Sequence, residues 1–72
     1  MALRGDETYV RLNGRLKRRT AKAAMIETDI GEGWVPRSCM HFATDKAIDD
    51  MELGQEAEFQ IMEWVAEREG LV

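Results

Sequence analysis

Seventy-two residues, 44% hydrophobic and 33% charged, describe one small folded domain whose core rests on about a dozen large apolar side chains, and they exclude the disordered class. A single cysteine, Cys39, excludes an intramolecular disulfide and points to a reducing compartment, and no apolar run approaches the roughly 18 residues of a membrane helix. The net charge of −4 conceals a strong asymmetry: residues 1–22 carry about +5 and residues 23–72 about −9, a bipolar pattern suited to nucleic acid or to an oppositely charged protein surface.

The opening MALRGDETYV holds no apolar stretch of signal-peptide length, so residues 1–7 read as a flexible N-terminal tail on a single domain spanning 1–72. From Tyr9 to Arg19 hydropathy alternates. Val10, Leu12, Gly14 and Leu16 share one parity, while Tyr9, Arg11, Asn13, Arg15, Lys17 and Arg19 share the other, which is the period of a half-buried strand. Asn13-Gly14 is also a strong hairpin signal. A tight turn there would set Leu12 against Arg15 and Arg11 against Leu16, so neither face could be buried without burying charge. One long strand is therefore predicted, with Gly14 on its inner face permitting a bend or bulge.

After a turn near Arg19–Ala21, KAAMIETD predicts a second strand with Ala24 and Ile26 on one face. DIGEG, Asp29–Gly33, reads as a glycine-rich turn, and WVP, Trp34–Pro36, as a short third strand that Pro36 ends or confines to an edge. Thr44 is placed to cap a short helix through DKAIDDM, with Ile48 and Met51 inward. Gly54 turns the chain into a strand where Ala57, Phe59 and Ile61 alternate with Glu58, Gln60 and Met62. EWVAEREGL closes the chain as a short helix, with Trp64, Arg68 and Leu71 on one side and Gly70 as its C-terminal cap. The fold class expected is mainly β: a small SH3-like or OB-like barrel of about five strands with a short C-terminal helix. Trp34 and Trp64 are candidate anchors of its core.

Three segments together, RTAKAAMIET, GWVPRS and AEFQIMEWVAEREGL, resemble small uncharacterised proteins of bacteriophage and prophage genomes. Those proteins carry a Trp-aliphatic-Pro-basic-Ser segment and a closing strand followed by a Trp-bearing short helix. The matching residues are Trp34, Val35, Pro36, Arg37, Ser38, Trp64 and Gly70. Met62 and the length of the Met40–Asp50 connection depart from that pattern. The resemblance implies a phage-type accessory protein acting in the cytoplasm of a bacterial host cell, and it attaches no catalytic residues.

Catalytic chemistry has little to draw on. His41 is the only histidine and Cys39 the only thiol, and neighbouring strand positions seldom bring a thiolate and its base into hydrogen-bond reach. Cys39, His41 and Asp45 fall short of a closed zinc set. GEG precedes a strand and not a helix N-terminus, so it is no phosphate loop. No enzyme activity, metal or cofactor is expected.

The basic strand carries more information. Arg11, Arg15, Lys17 and Arg19 would project outward about 6.5–7 Å apart, near the spacing of backbone phosphates, with Arg18 and Lys22 beside the turn. Tyr9 and Trp34 could stack an unpaired base. Arg37 completes the candidate contact set of Arg11, Arg15, Lys17, Arg18, Arg19, Lys22, Tyr9, Trp34 and Arg37. The plainer alternative is that these cations solvate an exposed face and pair with carboxylates of neighbouring strands. At the other pole Asp45, Asp49, Asp50, Glu52, Glu56 and Glu58 form an acidic run able to mimic a phosphate path.

These features predict a non-enzymatic binding protein for nucleic acid, or for a host or phage nucleic-acid-binding protein, with no membrane partner and with a homodimer open to it. The alternative is an anti-CRISPR-like inhibitor that occludes a bacterial defence protein with its acidic surface.

Overall fold

A computed structural model describes residues 8–72, and the tail assigned to residues 1–7 lies outside them. Strand β1, Tyr9–Arg19, is unbroken, so Asn13-Gly14 is not a hairpin turn. It bridges two partners. Tyr9–Arg15 pairs antiparallel with β4, Glu56–Met62, placing Leu12 opposite Phe59 and Arg15 opposite Glu56. Arg15–Arg19 pairs with β2, Ala23–Thr28, which in turn pairs with β3, Gly31–Pro36. The result is an open four-stranded antiparallel sheet in the order β3-β2-β1-β4. Pro36 thus ends an edge strand, as its missing N–H requires.

The sheet has four strands where about five were expected, because residues after β3 coil into other structure. Arg37–Cys39 form one 3-10 turn, and Phe42–Ile48 form helix α1. Met40 forms an isolated bridge to Ile61 at the outer edge of β4, and the His41 N–H donates to the Gln60 carbonyl oxygen there at 2.9 Å, but no further strand forms among the described residues.

The irregularity in β1 lies at Lys17 and not at Gly14. Leu16 faces Ile26 but Arg18 faces Met25, so Lys17 is an extra residue and the strand's parity reverses beyond it. Arg19 consequently lies opposite buried Ala24, on the inner side. Gly14 serves close approach: a Cβ there would strike the carbonyl oxygen of Glu27 and lie 3.3 Å from Thr28 Cγ2.

The β1–β2 turn is held by Thr20, whose Oγ1 accepts from the N–H groups of Lys22 at 3.2 Å and Ala23 at 3.0 Å. The β2–β3 turn is shorter than the glycine-rich loop expected. Thr28 pairs with Gly31, leaving only Asp29 and Ile30 in the turn, and Gly31 and Gly33 belong to β3. Their missing side chains admit the end of helix α2, Glu63–Arg68: a Cβ at Gly31 would meet the Gly70 carbonyl oxygen at 2.8 Å, and one at Gly33 would meet Glu69 Cβ at 2.8 Å.

Helix α1 is capped by His41 and not by Thr44. His41 Nδ1 accepts from the Ala43 N–H at 3.2 Å, while Thr44 is buried and its Oγ1 accepts from the Gln60 N–H at 2.9 Å, fastening α1 to the outer edge of β4. Helix α2 ends where Gly70 takes φ 73°, with Leu71 N–H donating to Ala66 O at 2.8 Å and Gly70 N–H to Glu67 O at 3.2 Å, a Schellman closure.

One face of the sheet is covered. Leu12, Leu16, Ile26, Val35, Phe59 and Ile61 meet Ile48, Met51, Val65, Ala66 and Leu71 in the core. The tryptophans do not anchor it: Trp34 is 40% and Trp64 48% exposed, and Phe59 is the largest side chain fully buried. Trp64 and Arg68 do share a side, with the guanidinium 5.0 Å from the indole centroid, but Leu71 is carried past Gly70 into the core.

Candidate partner-binding face

The uncovered face of the sheet carries the residues of the other parity. They include Tyr9, Arg11, Asn13 and Arg15 of β1, Glu56, Glu58 and Gln60 of β4, Met25 and Glu27 of β2, and Glu32 and Trp34 of β3. Strand pairing brings acid to base. Arg15 lies between two carboxylates, Nη1 3.7 Å from Glu27 Oε1 and Nη2 3.2 Å from Glu56 Oε2, and Lys17 Nζ lies 3.9 Å from the same Glu27 oxygen. Such exposed pairs contribute little stability, but they cancel the local positive potential. The clustered cations of β1 are therefore balanced by the strands on either side.

Two further candidate cations are committed to the fold. Arg19, turned inward by the bulge, donates from Nη1 to the carbonyl oxygens of Ile48, the last residue of α1, at 2.7 Å and of Met51, beyond the helix, at 2.6 Å. Arg37 has only 15% of its side chain exposed. It donates to Asp45 Oδ1 at 2.6 Å, to the Asp45 carbonyl at 2.8 Å and to the Thr20 carbonyl at 3.3 Å, and pairs with Asp49 Oδ2 at 3.0 Å. The hydrogen bonds it donates to Asp49 and Asp45 hold the Arg37 guanidinium even more firmly protonated than usual, and the one to Asp49 holds that carboxyl below its ordinary range.

The acidic pole is divided in the same way. Asp45 and Asp49 are taken by Arg37 and Glu56 by Arg15, while Asp50, Glu52 and Glu58 are exposed and have no cation partner among the described residues.

Arg11, Arg18 and Lys22 remain exposed, with no carboxylate partner among the described residues. Arg18 stands opposite Met25, and Met25 opposite Trp34, so a cation, a thioether and an exposed indole line up across three strands. Lys22 occupies the adjoining turn. At the other end of the face Tyr9 meets His41 edge-on, centroids 5.3 Å apart, and His41 stacks on Phe42 at 4.6 Å. Phe42 is 77% exposed, and the hydropathy pattern carried no sign of that.

Cys39 and His41 are separated by the end of the 3-10 turn, with Cys39 packed on the core and His41 engaged at the start of α1. No three His, Cys, Asp or Glu side chains gather around one point among the described residues. An open polar cleft of about 340 Å³ beside Gly14 is lined by Asn13, Arg15, Glu27, Thr28, Asp29 and Glu56. Comparison with known proteins finds no matching family model, no matching curated protein and no matching solved structure.

Proposed function

We propose that this protein is a non-enzymatic, phage-type accessory module that binds single-stranded nucleic acid, acting in the cytoplasm of a bacterial host. The contact is the Arg18–Met25–Trp34 row with Lys22 beside it. The observation that carries this proposal is the exposed indole in line with a cation that has no carboxylate partner among the described residues. Two strand separations put the Cα atoms of Arg18 and Trp34 about 10 Å apart, so a base stacked on Trp34 would leave a neighbouring phosphate within reach of Arg18. Arg15 and Lys17 add little in this account, since both are already paired.

The barrel-like reading of the fold, SH3-like or OB-like, belongs to the same proposal. Its support is the bulged β1 and the Met40–Ile61 bridge, which links the chain leaving one sheet edge to the opposite edge.

The rival, an inhibitor acting through its acidic surface, is favoured by Asp50 and Glu52 beside Leu53, which is 59% exposed. Titration with single-stranded oligonucleotides at low salt decides. Two contacting cations predict that affinity falls with salt by a slope of about 0.7 per contact. Absence of binding to DNA and RNA at low salt would remove the nucleic-acid proposal and leave the acidic surface.

A further inference from the structure

The edge of β1 is open over its first half. β1 outruns β2: pairing with β2 begins at Arg15, and the chain turns away at Asp29–Ile30, so among the described residues Tyr9–Asn13 have a paired strand on the β4 side only. Hydrogen bonds show which backbone groups point where. Thr8 O accepts from Glu63 N–H at 2.8 Å and Leu16 N–H donates to Gln55 O at 3.2 Å, so the even-numbered residues of β1 address the β4 side. By the alternation of an antiparallel ladder, Tyr9, Arg11 and Asn13 direct their N–H and C=O groups to the opposite, open side. No backbone group among the described residues bonds to them there. A groove of about 260 Å³ runs along this edge, walled by Arg11, Leu12, Asn13, Asp29, Ile30 and Leu71.

We propose that this edge receives an extended peptide segment of a partner protein as an added strand, collinear with β2 and stopped by the Asp29–Ile30 turn. Unsatisfied donors and acceptors at strand spacing suit a peptide backbone, which nucleic acid does not supply. The side chains specify the segment. The residue opposite Arg11 is acidic, because Arg11 has no carboxylate partner among the described residues. The residue opposite Leu12 points the other way and is aliphatic, to lie among Leu12, Leu71 and Ile30, which is 65% exposed. The residue opposite Asn13 is polar. A second copy pairing by this same edge would set Arg11 against Arg11 or Asn13 and bring no acid, so charge disfavours it.

Amide exchange on the intact chain tests this, with the capped peptide Thr-Val-Glu-Val as probe. Running antiparallel, it sets Thr against Asn13, Val against Leu12 and Glu against Arg11. In the free protein the Arg11 and Asn13 amides should exchange faster than those of Val10 and Leu12 by about tenfold or more. Millimolar peptide should slow both, and a peptide with Lys replacing Glu should do so less. Arg11 and Asn13 amides as protected in the free protein as their neighbours, or no slowing at millimolar peptide, would overturn the proposal. This result is independent of the oligonucleotide titration, which reports on Arg18 and Trp34.

Discussion

Arg37 Nε donates to Asp45 Oδ1 at 2.6 Å, and this contact helps tie the turn that follows β3 to helix α1. The same guanidinium reaches Asp49, one turn further along. Within residues 37–49 one mostly buried cation is shared between two carboxylates, beside the contacts that Met40, His41 and Thr44 make to β4.

That arrangement sets an acid dependence. Asp49 is held below its ordinary value of 3.8, first by its hydrogen bond to Arg37. A carboxyl more acidic in the folded than in the unfolded chain contributes stability above 3.8, and that contribution is lost as pH falls through the lower folded value. Arg37→Met should therefore lower Tm most at neutral pH, and the gap to wild type should narrow in strong acid. Melting curves across that range check it, and a gap independent of pH would contradict it.

The strand assignment at Asn13-Gly14 has its own test. Asn13 is exposed on the uncovered face opposite Glu58, so Asn13→Thr should leave Tm nearly unchanged. Leu16→Ala, at a fully buried position, should cost about 2–5 kcal/mol. Gly14→Ala forces a methyl onto the Glu27 carbonyl and should cost about 3 kcal/mol, as overpacking against backbone does. Chemical denaturation measures all three, and a severe loss in Asn13→Thr would mean a turn and not a strand.

Gly70 is required for a different reason. A Cβ built there meets nothing within 4 Å, so space is not at issue, but φ is 73°. Gly70→Ala should cost about 1–2 kcal/mol through the left-handed backbone alone. The same position carrying D-alanine, introduced by chemical synthesis, should be tolerated. Equal destabilisation by both enantiomers would refute the backbone explanation.

The parts of this fold visible in the sequence are those where hydropathy contrast is strong. Leu12 and Leu16 among cations marked β1, and Phe59 and Ile61 among polar residues marked β4. The bulge was invisible because Lys17, Arg18 and Arg19 are three cations in a row, and a parity reversal within a uniform run leaves no trace. Thr44 suited a cap by residue type, yet the site went to His41, because the Thr44 hydroxyl had a buried partner in the Gln60 N–H. The tryptophans misled through size: in a core this small, Phe59 and the branched aliphatics fill the space, and both indoles stay at the surface. For the candidate site, residue types were legible but their pairing was not, since Arg15, Glu27 and Glu56 meet only through strand register.

The bulge at Lys17 separates Arg18 from Arg19, and the functional account rests on that separation. Arg18→Gln and Arg19→Gln remove the same charge from adjacent positions. Arg18→Gln should weaken single-stranded oligonucleotide binding at low salt and leave Tm unchanged. Arg19→Gln, which loses charged hydrogen bonds to Ile48 and Met51, should lower stability by about 1–3 kcal/mol and leave affinity unchanged. Measured side by side, equal losses of affinity in the two variants, or a loss of stability confined to Arg18→Gln, would show that the two arginines share one face and would contradict the account.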